Sequence, residues 1–217
     1  MKKQLIYLVR HGETEANRND IYQGWRVNLP LNSKGKAQAH RLGRFLEKHG
    51  KQIGAIYTSP AKRAKNTAAI VAEHIAKPKT VSEIIIEKNL YEIDHGDWCG
   101  HMAEEVRKLW PKTAMEWWHG DQSKVKFPGG ESIPNARKRI INAFENIIAK
   151  TPDKNILIVA HGGTNSIFIS HLMGTKIFRP IKQDNTCLNI IERKFNEEVS
   201  TYKIKILLIN GVFHLLR

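Results

Sequence analysis

Two segments of this chain share one design. Residues 5–12, LIYLVRHG, and residues 156–163, ILIVAHGG, each run an apolar stretch straight into a histidine and a glycine. A short apolar run bounded by turn formers reads as a strand buried on both faces, and such strands belong to parallel sheets covered by helices. A helix start follows each run, with Thr14 placed to cap the first. The pattern predicts an α/β fold with a mostly parallel sheet. Its carboxyl edge would carry Arg10, His11 and His161, and that edge is where open α/β sheets bind ligands. Gly12 removes a Cβ where a ligand would approach the backbone, and helix N-termini aim free N–H groups at the same place. A cation, an imidazole and a helix end converging on one point suit an anion, most simply phosphate.

The intervening segments fit this scheme. Ser33 is placed to cap a helix running to about His49, with Leu42, Phe45 and Leu46 as its apolar stripe. IGAIYT, residues 53–58, reads as a second strand. It breaks at Ser59-Pro60, with Ser59 as N-cap of a helix from Ala61 to about Ala76. Arg63 then falls in the first turn, where a cation opposes the helix dipole; a bound anion accounts for it. A third strand is predicted at about Val81–Ile86. Glu92, between Tyr91 and Ile93, is either a partly buried acid or an outward-facing neighbour. Residues 98–119, with Trp110, Met115, Trp117 and Trp118, read as a small helical cap whose aromatics either roof a pocket or pack on one another. FPGGES, 127–132, is a turn. Ile140, Phe144, Ile147 and Ile148 give the core face of a helix ending near Lys150. CLNIIE and YKIKILLIN read as two final strands, the last with the alternation of an edge strand.

Composition narrows the function. The 217 residues carry 41% hydrophobic and 26% charged residues, a globular balance, and one domain over 1–217 is expected. No apolar run approaches a membrane span. The lysines and apolar run at the start imitate a signal peptide, but Arg10 interrupts the run and no small-residue cleavage site follows, so a cytoplasmic protein is expected. Cys99 and Cys187 are too far apart in sequence to suggest a metal motif. The net charge of +14 is spread along the whole chain without basic blocks or interleaved aromatics, which suits acidic small molecules better than nucleic acid.

Arg10, His11, Arg63, Glu92 and His161 form a chemically coherent set. Two guanidiniums can hold phosphoryl oxygens, one neutral imidazole can attack phosphorus, and a carboxyl can protonate a leaving alkoxide. Fixed cations can serve where other enzymes use magnesium, so metal-independent chemistry without a cofactor is expected.

Seven ordered blocks, LVRHGETEAN, QGW, PLNSKGKAQA, TSPAKRAKNTA, LYEIDHGDWCG, FPGGES and VAHGGTN, resemble the histidine phosphatase superfamily, also called phosphoglycerate mutase-like. The resemblance implies a three-layer α/β/α sandwich with a small helical cap. It also implies a phosphohistidine on His11, a phosphate pocket of Arg10, Arg63 and His161, and Glu92 as proton donor. Asn17 and Gly162 would join the phosphate contacts, with Gln23, Gly24 and Trp25 at the entrance. Asn28 and Cys99 depart from the residues members often carry there, outside the chemical set. The short, tryptophan-rich segment after Glu92 resembles phosphatases such as the α-ribazole and broad-specificity types. Arg107, Lys108 and Lys112 instead suit the second acidic group that a mutase grips. The reading favours a phosphomonoester hydrolase over a mutase or a silent phospho-ligand binder, and it allows a homodimer.

Overall fold

The computed structural model describes residues 3–75, 83–152, 154–175, 181–196 and 201–216. Six strands form one sheet: β1 (Lys3–Arg10), β2 (Ile53–Thr58), β3 (Ile84–Ile86), β4 (Asn155–Ala160), β5 (Leu188–Asn196) and β6 (Thr201–Gly211). Their spatial order is β3-β2-β4-β1-β5-β6. The first four strands in that order pair in parallel, and β5 and β6 are antiparallel additions that leave β6 at the edge.

The buried strands alternate between two cores, as period-two geometry requires. Ile6, Leu8, Ile156 and Ile158 point to one face, where α6 (Ile133–Lys150) and α7 (Gly162–Leu172) pack. Phe144 of α6 stacks on Phe168 of α7 with ring centroids 4.0 Å apart. Leu5, Tyr7, Val9, Leu157 and Val159 point to the other face, against α2 (Ser33–His49) and α3 (Lys62–Ile75). The result is the three-layer sandwich. The expected cap consists of α4 (Ala103–Leu109) and α5 (Pro111–His119). Among the described residues, no helix is long and apolar enough to cross a membrane.

Several local expectations shift. Asn32, not Ser33, caps α2, its Oδ1 accepting from Gly35 N at 2.8 Å. The third strand is described only from Ile84, and residues 81 and 82 lie outside the described residues, as does Ala76 at the expected end of α3. The cap tryptophans turn inward: Trp98 and Trp118 stack at 5.9 Å, and Trp117 meets Phe127 edge-on at 5.1 Å. Packing against the core buries more apolar surface than roofing a wet cavity, and the cap joins the core on the α6–α7 face of the sheet. Met115 points to solvent.

One close approach sets the loop after β1. A Cβ on Gly12 would come within 2.6 Å of Gly35 O, and a Cβ on Gly35 within 2.1 Å of Glu13 O. Asn32 N adds a 3.0 Å hydrogen bond to Glu13 O. The missing side chains let α2 brace the turn that carries His11. Alanine in a helix normally gains stability over glycine. Here Gly35→Ala should instead cost about 1–3 kcal/mol through overpacking, roughly 2–4 °C of Tm per kcal/mol for a chain of this size, read by thermal denaturation. An unchanged or raised Tm would show that the turn is not braced there.

Candidate active site

The register of β1 and β4 brings the two histidines together. Arg10 pairs with Ala160, so the next residues, His11 and His161, leave adjacent strand ends in the same direction. Their ring centroids lie 5.2 Å apart at 65°. Both rings are buried, and burial next to Arg63 holds both well below the usual histidine range, so both are neutral at pH 7.

The tautomer of His11 follows from its partners. Nδ1 lies 2.7 Å from Gly12 O, which can only accept, so Nδ1 carries the proton. Nε2 accepts from Arg63 Nε at 3.1 Å. The lone pair therefore sits on Nε2, on the side of the guanidinium. His161 Nε2 lies 2.8 Å from Ser59 Oγ, and its Nδ1 is buried with no protein partner among the described residues. Ser59 thus donates to His161 and, as expected of a cap, accepts from Ala61 N at 3.3 Å. Asn28 shares the capping, its Oδ1 accepting from Lys62 N at 2.7 Å.

Arg63 stands in the first turn of α3, as expected, and is buried. Besides His11, its Nη2 donates to Gly24 O at 2.7 Å and its Nη1 to Val27 O at 3.0 Å. Of its five N–H groups, three are thereby used and two are left. Burial lowers its pKa to about 10, still cationic at neutral pH. Arg10 donates Nη1 to Gln183 O at 2.6 Å, while its buried Nε has no partner among the described residues. Burial depresses its pKa, and Glu92 partly restores it.

Glu92 rests on the N-terminus of α7. Its Oε2 accepts from Gly163 N at 3.1 Å, and its Oε1 from Thr164 N at 3.0 Å and from its neighbour Ile93 N at 3.0 Å. A Cβ on Gly163 would come within 2.7 Å of Oε1, so this glycine makes room for the carboxylate. The helix end thus holds the carboxyl group in place through its free N–H groups.

Arg10, His11, Arg63 and Glu92 all line one cavity of about 380 Å³. Asn17, Gln23 and Gly24 line it too. Asn17 caps the first helical turn (α1, Glu15–Arg18) through Oδ1 and Thr14 N at 3.2 Å. Gly24 adopts φ +50, and its added Cβ would meet Cys99 Sγ at 2.8 Å. Three expected contacts are not among its lining residues, the first being His161, whose buried ring has its centroid 5.2 Å from that of His11. Gly162 sits behind Arg10, where a Cβ would be at an ordinary 3.5 Å from Nε. Trp25 is 48% exposed and stands edge-on to Tyr91 in a neighbouring cleft that shares Glu92 with the cavity.

Sequence reasoning missed further wall residues. Asn185 donates Nδ2 to His11 O at 3.1 Å, reaching the site from the segment before β5. His95 lines the cavity buried, with Nδ1 unpartnered among the described residues. Asp20 and Tyr22 complete the wall toward the cap. Only the acid-plus-helix cradle left a trace in the sequence, in the doubled glycine 162–163. Arg107, Lys108 and Lys112 do not line the cavity; Arg107 lies over Trp118 and Lys108 pairs with Glu104 at 2.7 Å. Among the described residues, no group of three or more side chains is arranged to hold a metal ion.

This arrangement can bind a phosphoryl group between two guanidiniums, with an unprotonated imidazole nitrogen beside it and a carboxylate at the wall. Comparison with known proteins gives the family. Residues 6–203 match the model of the histidine phosphatase superfamily (branch 1). Phosphoserine phosphatase 1 of Hydrogenobacter thermophilus is 31% identical over 89% of each chain. A 2,3-bisphosphoglycerate-dependent phosphoglycerate mutase of Methylorubrum populi is 30% identical over 79% of this chain and 80% of its own. The structure of Bacillus stearothermophilus YhfR superposes with a TM-score of 0.82 at 28% identity, covering 98% of this chain and 99% of that one. With a family model spanning nearly its whole length and the fold and paired histidines in place, the chain belongs to the histidine phosphatase superfamily and is an enzyme of the phosphatase kind.

Proposed function

We propose that the protein hydrolyses small phosphomonoesters through a phosphohistidine on His11, with Glu92 as the proton donor. The observation that carries this is the Nδ1–H tautomer of a buried, neutral His11, which leaves Nε2 as the nucleophile. In the free site Arg63 Nε–H occupies that lone pair. An incoming phosphoryl oxygen competes for the same N–H and releases it.

The ester's oxygens then lie against the remaining N–H groups of Arg63 and the unpartnered Nε of Arg10. With Ser59 donating to its Nε2, His161 has Nδ1–H to offer an equatorial oxygen. Nε2 of His11 attacks phosphorus in line as the P–O bond to the alcohol breaks, and Glu92, entering this step as the neutral acid, passes its proton to the departing oxygen and is left as the carboxylate. Water next attacks the phosphohistidine, Glu92 takes the water's proton, and orthophosphate leaves. The guanidiniums supply the positive charge that phosphoryl transfer demands, so turnover in a chelator is expected.

Hydrolysis is favoured over mutase chemistry by the placement of the cap cations. None of Arg107, Lys108 and Lys112 lines the cavity, so among the described residues a second acidic group finds no cation there beyond Arg10 and Arg63, which the phosphoryl group takes. Assay with p-nitrophenyl phosphate, and with 3-phosphoglycerate plus its bisphosphate primer, separates the two readings. Phosphate release without isomerisation supports the hydrolase, and rapid isomerisation supports the mutase.

His11→Ala should abolish both turnover and labelling by a phosphate donor. An acid-labile, alkali-stable phosphoenzyme persisting in that variant would remove His11 as the nucleophile. Glu92→Gln should slow alkyl phosphates by roughly 10²–10⁴-fold, the usual worth of general acid catalysis. It should slow p-nitrophenyl phosphate far less, because p-nitrophenolate leaves without a proton; equal losses would count against Glu92 as the acid. Finally, neutral His11 is the competent form and its pKa lies well below 6.5. Corrected for the ester's own ionisation, kcat/KM should stay level as pH falls from neutrality through 6.5 and decline only below that. A decline centred at 6.5 would mean that burial does not set the protonation of this ring.

A further inference from the structure

The cavity keeps its charges in two zones. Arg10 and Arg63 are the only cations among its described lining residues, and phosphoryl oxygens claim both. The wall left for the alcohol is formed by Asn17, Asp20, Tyr22, His95, Ala103 and Asn185. None of these is positive, since burial keeps the His95 imidazole neutral at pH 7. Neither Lys108 nor Arg18 lines this wall; each lies near a surface carboxylate, Glu104 at 2.7 Å and Glu15 at 3.8 Å.

Asp20 is the single carboxylate on that wall besides Glu92. It sits at φ +50, with its carbonyl accepting from Ala103 N at 3.0 Å, which fixes it between α1 and α4. Among the described residues its side chain makes no hydrogen bond or ion pair. An exposed, unpaired carboxylate facing a leaving-group site has a defined preference. A second anion on the alcohol meets Asp20 with no further cation among the described lining residues, whereas an ammonium gains a partner.

We propose that Asp20 selects esters whose alcohol carries an ammonium group, so that the preferred substrates are phosphorylated amino alcohols rather than phosphorylated hydroxy acids. This rests on the hydrolase reading above. Because Asp20 faces water, the preference is modest, about three- to fivefold, as for a solvent-exposed ion pair. It weakens as salt screens the charges.

The test compares kcat/KM for O-phosphoethanolamine, 2-hydroxyethyl phosphate and phosphoglycolate, with p-nitrophenyl phosphate as the control for hydrolysis. The expected order is ammonium, then neutral, then carboxylate ester, with the spacing compressed at high salt. Asp20→Asn keeps a residue that tolerates the left-handed backbone. It should bring phosphoethanolamine level with 2-hydroxyethyl phosphate, mainly through KM. Phosphoglycolate turned over as well as phosphoethanolamine would overturn the proposal, as would an unchanged ratio in Asp20→Asn. If p-nitrophenyl phosphate is cleaved while the three alkyl esters show no such order, the role of Asp20 alone fails. If none of the four is cleaved, the hydrolase reading fails and the proposal with it.

Discussion

Two guanidiniums and two imidazoles share a buried site in which Glu92 is the nearest carboxylate, and that concentration of positive charge shapes everything around it. Burial, aided by the neighbouring guanidiniums, lowers the pKa of Arg63 and of both histidines, and burial lowers that of Arg10. Charges of one sign held together out of water cost folding free energy. The fold meets the cost with main-chain carbonyls: Gly24 and Val27 for Arg63, Gln183 for Arg10. Carbonyls solvate a cation without neutralising it. The site is therefore folded yet electrostatically incomplete, and an anion completes it.

Holding those groups in place falls to elements that contribute no chemistry. The parallel register of β1 and β4 fixes the separation of the histidines, and rigid strand ends are more exact supports than loops. The mutual approach of Gly12 and Gly35 fixes the turn that orients His11, and Thr67 Oγ1 accepts from Gly12 N at 3.0 Å on its other side. Even Asn28, outside the chemical set, ends the entrance loop by capping the helix that delivers Arg63. One segment, residues 23–28, thus lines the entrance, accepts from Arg63 and starts α3, so movement of the entrance would be felt at the guanidinium.

What could be read from the chain beforehand follows from how local each signal is. His11, His161 and Arg63 sit at strand ends and in a helical first turn, positions that periodicity and capping residues mark within a few residues. Glu92 was recognisable as a candidate, but its cradle on α7 lies seventy residues on and depends on strand order. Asn185 and Gln183 reach the site only because β5 returns antiparallel beside β1, and no local pattern carries that. Ser33 misled because several hydroxyl and amide side chains near a helix start compete for one cap: Asn32 takes that role, while at α3 Asn28 and Ser59 share it and Ser59 also meets His161. The tryptophans left two readings open, and packing prevails because a residue type that suits a pocket roof suits a core still better when Tyr22 and Phe127 are there to pack against.

Inward packing of the cap has a consequence for specificity. Had the tryptophans roofed the cavity, shape and apolar surface would have selected the alcohol. Instead the wall toward the cap is polar, and the selecting feature becomes charge. The chain as a whole is strongly basic and draws phosphate esters from solution without regard to the rest of the molecule. Discrimination must then come from close range, where screening is weakest. The guanidiniums hold the part all these esters share, and the uncompensated carboxylate of Asp20 meets the part in which they differ.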